Sequence, residues 1–155
     1  MTGVQTCALP ICQESLTQEV IRDGWYVTGD IGAFDEDGFI TITDRLSRFS
    51  KIAGEMVPHI KVEEAIHEVL RSTEQLAVVT SMPDEKKGEK LVVLHLPGVN
   101  VAALLEGLKT AGLPNLWIPD ESSFKPIEAV PLLGTGKVDL SRIKQTAREL
   151  WKPDH

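Results

Sequence analysis

Apolar and polar positions change rhythm several times along this chain, and each change predicts an element. Residues 13–22 are polar, with Val20 and Ile21 the one adjacent apolar pair, and no element is assigned there. Asp23-Gly24-Trp25-Tyr26-Val27-Thr28-Gly29-Asp30 is a short β-prone run closed by a turn. Ile31 to Phe34 and Phe39 to Thr43 alternate around Asp35-Glu36-Asp37-Gly38, which predicts a β-hairpin. After Asp44-Arg45 the character shifts, and a domain boundary is placed there. Phe49 to Val57 reads as a strand or hairpin bent at Gly54. Val62, Ala65, Ile66, Val69 and Leu70 share one helical face, so a helix is expected over 61–70. Strands are expected at 76–80 and 91–96, separated by the turn-rich residues 83–88. Val101, Leu104, Leu105 and Leu108 mark a second helix that Gly112 ends. Residues 113–117 suit a loop or helical turn, and 123–127 another strand. Leu140, Ile143, Ala147 and Leu150 mark a terminal helix capped by Asp139 or Ser141. This irregular alternation predicts a small α+β domain from Arg45 onward, with a short mixed or antiparallel sheet flanked by helices.

Composition narrows the picture mainly by exclusion. With 42% hydrophobic and 25% charged residues the chain has ordinary globular composition. A net charge of -7 argues against a nucleic-acid partner, since phosphate binding needs a basic face. No apolar run approaches the ~20 residues that span a bilayer. Thr2-Gly3-Val4-Gln5-Thr6-Cys7-Ala8-Leu9-Pro10-Ile11 resembles a translated sequencing adapter, so residues 1–12 are set aside from functional reasoning. On that expectation upstream sequence is missing. Cys7 and Cys12 fall in this stretch, and with no second pair they do not form a zinc site. A body without cysteine suits a reducing cytoplasm.

Three segments carry candidate chemistry. In Gly24-Trp25-Tyr26-Val27-Thr28-Gly29-Asp30, a carboxylate at a tight turn can accept from both hydroxyls of a vicinal diol such as ribose; the glycines equally suit a plain hairpin entry. In Thr43-Asp44-Arg45-Leu46-Ser47-Arg48-Phe49-Ser50-Lys51-Ile52-Ala53-Gly54-Glu55, cations could grip ribose or phosphate and Gly54 could admit a ligand close to the backbone. A solvated basic strand is the alternative. In Pro131-Leu132-Leu133-Gly134-Thr135-Gly136-Lys137-Val138-Asp139, a lysine on a glycine-flanked loop can offer charge to a phosphate or carboxylate, or the loop is simply a turn before a helix. It is not a Walker loop, which needs glycine where Pro131 stands and Ser or Thr where Val138 stands.

In this order the three segments resemble the adenylate-forming superfamily of acyl-CoA synthetases, luciferases and peptide-synthetase adenylation domains. The resemblance runs from about Asp23 to Leu150. It implies that residues 13–44 are the tail of a large N-terminal adenylation domain, the hairpin included, and that 45–155 form the C-terminal lid domain. Asp30 and Arg45 then correspond to the ribose-binding pair, and Ser47 stands at the hinge, where the family often has Asp or Lys. Gly54 corresponds to the glycine lining the thiol channel, and Lys137 to the lysine that bridges carboxylate and α-phosphate during adenylation. The implied cofactors are ATP and Mg2+, with a phosphopantetheine thiol of acyl carrier protein or CoA as acceptor. A fatty acid and the absent large domain are the other implied partners. Alone, the fragment is expected to be inactive.

Ile52-Ala53-Gly54-Glu55-Met56-Val57-Pro58, followed by Val62-Glu63-Glu64, resembles the fatty acyl-[acyl-carrier-protein] synthetase branch, as does the Lys137 segment. That branch includes bifunctional enzymes that reacylate lysophospholipids, which implies a bacterial cytoplasmic protein, at the inner-membrane face if the parent is bifunctional. The acyltransferase half of such enzymes carries a His-x4-Asp pair. Here Glu64, Ser72 and Asn100 stand five residues after His59, His67 and His95, so any such half lies upstream. These histidines lack metal-ligand spacing and are read as packing or surface residues. Glu63 and Glu64 are read as carboxylates at the positive end of the first helix. A fatty acyl-CoA ligase is the alternative enzyme, and a non-catalytic carrier-protein-binding module the alternative of another class.

Overall fold

In a computed structural model of the chain the structure describes residues 14–151; residues 1–12 and both cysteines lie outside them. The chain divides into two compact units, one through Leu46 and the other from Ser47.

The first unit opens with helix α1 (Glu14–Val20), where the polar sequence suggested no element. Seven residues are too few to display a full apolar face, so periodicity is silent there. Strands β1 (Ile21–Arg22) and β2 (Trp25–Tyr26) pair across Asp23-Gly24, whose φ angles of 50° and 80° are those of a primed hairpin turn. Strands β3 (Asp30–Phe34) and β4 (Ile40–Arg45) form the expected antiparallel hairpin. Asp35 organises its turn: Oδ1 accepts from the amides of Asp37 (3.1 Å) and Phe39 (2.8 Å). Trp25, Phe34, Phe39, Ile40 and Ile42 are 60–79% exposed in this unit.

The second unit contains hairpin β5 (Phe49–Ile52) and β6 (Glu55–Pro58), then helix α2 (His59–Leu70). Strands β7 (Ala77–Asp84) and β8 (Gly88–His95) form a second hairpin, longer than expected because pairing continues through Pro83 and Asp84. Pro83 is tolerated because β7 is an edge strand. In its turn the amides of Lys87 and Lys86 donate to the Asp84 carboxylate and hold its pKa below the usual value. Helix α3 (Val101–Thr110) is capped by Asn100, whose side chain accepts from the Ala103 amide. Strand β9 (Phe124–Pro126) runs parallel to β8, giving a mixed three-stranded sheet in the order β7-β8-β9. Helix α4 (Leu140–Leu150) is capped by Asp139, which accepts from the Arg142 amide at 3.0 Å. This is the expected α+β class.

The sheet is covered on both faces, which is why its strands read as continuous apolar runs. Ala77, Val79, Leu91 and Val93 face the larger core, built with Val62 and Ile66 of α2 and Leu104 and Leu108 of α3. Val78 and Leu94 face the other way and pack with Ile143 of α4. Helices α2 and α3 approach closely because α3 carries Gly107. A Cβ there would sit 2.4 Å from Cγ1 of Val69. Val69 is β-branched and stiff, so the contact is hard to relieve. Gly107→Ala is therefore expected to destabilise the chain by about 1–2 kcal/mol despite its better helix propensity. Urea midpoints check this, and Val69→Ala in the same background should recover most of the loss.

Candidate functional site

Asp30 begins β3, and the Thr28-Gly29 turn sets its direction. Gly29 takes a φ of 73°, the Thr28 hydroxyl accepts from the Asp30 amide at 3.1 Å, and the Leu46 amide donates to the Gly29 carbonyl at 2.7 Å. The β3–β4 register places Asp30 directly opposite Arg45. Nε of Arg45 lies 2.8 Å from Oδ1 of Asp30, with the arginine side chain 64% exposed and the aspartate 25%. A carboxylate and a guanidinium are thus presented side by side, one an acceptor and the other a donor.

The other three candidates lie in the second unit. Ser47 is in the short helical turn Leu46–Arg48. Ala53-Gly54 joins β5 to β6, with φ of 49° and 91°. This bend is fastened from below: the Ala53 amide donates to the Lys87 carbonyl (2.8 Å), and the Lys51 amide to Oε2 of Glu89 (2.7 Å). No heavy atom lies within 4 Å of where a Gly54 Cβ would be, so the backbone is bare on that side. Beside it Glu55 accepts from the indole N–H of Trp117 at 2.9 Å. Lys137 sits on a folded loop. The Leu133 amide donates to its carbonyl (2.7 Å), the Gly136 amide to that of Leu133 (2.8 Å), and Leu132 bridges to Val138. The structure brings Asp30 and Arg45 together. Gly54 and Lys137 stand on separate loops, with no hydrogen bond between them.

Two polar clusters escaped the sequence reading. Glu63 is not a helix-dipole partner: α2 begins at His59, no acidic residue falls in its first turn, and Glu63 is buried. Its carboxylate accepts from both terminal nitrogens of Arg48 (3.2 and 2.5 Å) and from the Val79 amide (2.7 Å). Arg48 is therefore committed to Glu63, whereas the sequence offered it as a cation for ribose or phosphate. Glu64 pairs with Lys61 on the surface instead. His67 is a structural connector: Nδ1 donates to the Glu63 carbonyl and Nε2 accepts from the Leu76 amide.

His59 is 2% exposed, its Nε2 is 2.5 Å from the Ser50 hydroxyl, and burial with the charges of Arg48 and Lys144 lowers its pKa to about 4. Above the unfolded value of 6.5 the ring is neutral in both states, and no stability is lost. Between 6.5 and 4 the unfolded chain takes a proton that the folded chain refuses, so stability falls as pH falls. The expected loss by pH 4 is roughly 2–3 kcal/mol. Urea midpoints measured from pH 7.5 to 4 should drop less steeply in His59→Gln than in the parent chain.

Similarity to known proteins bears on the site as a whole. The chain is 31% identical over 142 residues to 3-methylmercaptopropionyl-CoA ligase of Ruegeria pomeroyi, covering 87% of this chain and 24% of that protein. It is 34% identical over 128 residues to the fatty acid–[acyl-carrier-protein] ligase ScoC of Streptomyces coeruleorubidus, covering 79% and 23%. Among solved structures it matches a Mycobacterium tuberculosis fatty acyl CoA synthetase with a TM-score of 0.56 and 28% identity, covering 87% of this chain and 26% of that one. These relatives are adenylate-forming acid ligases. The α+β fold matches the C-terminal domain of adenylate-forming enzymes. No protein-family model matches the chain. The chain spans about a quarter of the length of the curated relatives it matches. Adenylate-forming ligases use ATP with Mg2+. Among the described residues no group of three or more His, Cys, Asp or Glu side chains could hold a metal ion, so no ligand for Mg2+ is assigned here. No described helix is long and apolar enough to cross a membrane.

Proposed function

We propose that this chain is the C-terminal part of an ATP-dependent ligase that joins a fatty acid to the phosphopantetheine thiol of an acyl carrier protein. The observation that carries the reading is the Asp30–Arg45 pair. Residues from two separate motifs stand 2.8 Å apart at the end of one hairpin, and together they match the donor and acceptor pattern of a ribose diol. Residues 13–44 are assigned to the tail of the large domain. Their apolar hairpin face, with the paired Phe34 73% and Ile40 60% exposed, suits burial in that domain. Residues 45–155 are assigned to the lid domain, and Ser47 to its hinge.

In this reading the acid's carboxylate attacks the α-phosphorus of ATP, the bond to the bridging oxygen breaks, and pyrophosphate leaves with the electron pair. Lys137 offsets the charge that gathers between carboxylate and phosphate. Rotation about residues 45–47 then withdraws Lys137 and presents the bare Gly54 backbone, past which the thiol reaches the acyl-adenylate. In this reading the acyl pocket belongs to the large domain, so the chain alone is expected to be inactive. Onward transfer to a lysophospholipid rests on the wording of the Gly54 and Lys137 segments alone.

Similarity to ScoC favours a carrier protein as acceptor; similarity to the Ruegeria ligase favours CoA, which is the second reading. The test is fatty-acid-dependent ATP–pyrophosphate exchange by the intact gene product, followed by acyl transfer to holo-carrier protein and to CoA. Exchange with faster transfer to the carrier protein is expected. Faster transfer to CoA selects the second reading. Absence of exchange overturns both and leaves a non-catalytic carrier-protein-binding module.

A further inference from the structure

Between β7 and the first turn of α4 lies a cavity of about 150 Å³. That is several times the ~30 Å³ taken up by one water. Its polar lining comes from Ser47, His59, Thr80, Ser141 and Lys144, and no carboxylate lines it. Thr80 is 7% exposed, yet its hydroxyl makes no hydrogen bond to any described residue. The oxygen is not sealed in dry core, so it opens onto the cavity. A hydroxyl buried to this degree normally has a partner, and here water or another occupant of the cavity supplies it.

Two further observations give that occupant its charge. The amides of Leu140 and Ser141, the first two of an 11-residue helix, have no acceptor within the helix, and the Asp139 cap takes the Arg142 amide. Lys144 has no ion pair among the described residues. Arg48 also acts on the neighbouring His59, but its own charge is matched by Glu63. Lys144 lines the cavity while remaining exposed, so it repels a cation there and favours an anion. We infer that this cavity binds a tetrahedral oxyanion of phosphate size, either the free ion or a phosphate monoester, held by Lys144, the Thr80 and Ser141 hydroxyls and the start of α4. The inference does not depend on the proposed ligase reaction.

Titration of the chain with inorganic phosphate, and separately with glycerol 3-phosphate, tests it by amide chemical shifts. Saturable shifts at Thr80, Leu140 and Ser141 are expected. Lys144→Met should weaken binding by about tenfold, the loss of one charge-assisted contact. Thr80→Val, nearly isosteric, should weaken it severalfold, with far-UV circular dichroism unchanged in both variants. Binding of inorganic phosphate alone identifies a free-ion site, and binding of both identifies a site open to esters. The inference is overturned if neither ligand gives saturable shifts up to roughly 50 mM, or if affinity is unchanged in both variants.

Discussion

Glu63→Ala is expected to cost the chain about 3–5 kcal/mol, a large share of the ~5–15 kcal/mol that holds an ordinary domain folded. The substitution strands Arg48, whose side chain is only 12% exposed, with no anion. It also leaves the Val79 amide, inside the edge strand of the sheet, without its acceptor. Glu63→Gln separates the two effects: the amide oxygen still accepts from Val79, but the guanidinium loses its charge partner. Its loss should be smaller than that of Glu63→Ala. Replacing Arg48 and Glu63 together with methionine should recover much of the stability, because the desolvation of two ions disappears with the pair. Urea denaturation of the four chains checks all of this. Equal stability of Glu63→Ala and the parent would mean that the pair contributes nothing.

In the proposed intact ligase, Lys137→Ala is expected to lower fatty-acid-dependent ATP–pyrophosphate exchange by about 10²–10³-fold, the usual cost of losing one preorganised charge from a transition state. Lys137 is exposed and forms no ion pair among the described residues, while its backbone is held by the folded loop. The cation is thus available and its base is fixed. Transfer of the acyl group from preformed acyl-adenylate to thiol should be little changed, since the proposed rotation withdraws Lys137 from that step. A parallel loss in both half-reactions would instead point to general damage to the domain.

Local chemistry made much of this structure readable. The β3–β4 turn follows from Asp35 and Gly38, and the start of α4 from the Asp139 cap, because each acts within a few residues of itself. Helix α2 was visible from one apolar face, though not its first residues, since Pro58-His59-Ile60 carries no capping side chain. What escaped was long-range. Glu63 meets Arg48 and Val79 at separations of 15 and 16 residues, and no periodicity reports such a meeting. On the chain Glu63 looks like any helical carboxylate. The Thr80 cavity was hidden for the same reason, being built from β7, α4 and the chain near Ser47.

The parallel pairing of β8 with β9 has a consequence for how the unit assembles. β7 and β8 are joined by a tight turn, whereas β9 reaches its partner only after the whole crossover 96–123, α3 included. Closing that longer loop costs more chain entropy, and the reward is a strand of only three residues. β9 should therefore dock late, onto a hairpin and helices already in place, and it should be the first strand to detach. A nick anywhere in the crossover would leave the β7–β8 hairpin whole while setting the last strand and α4 adrift.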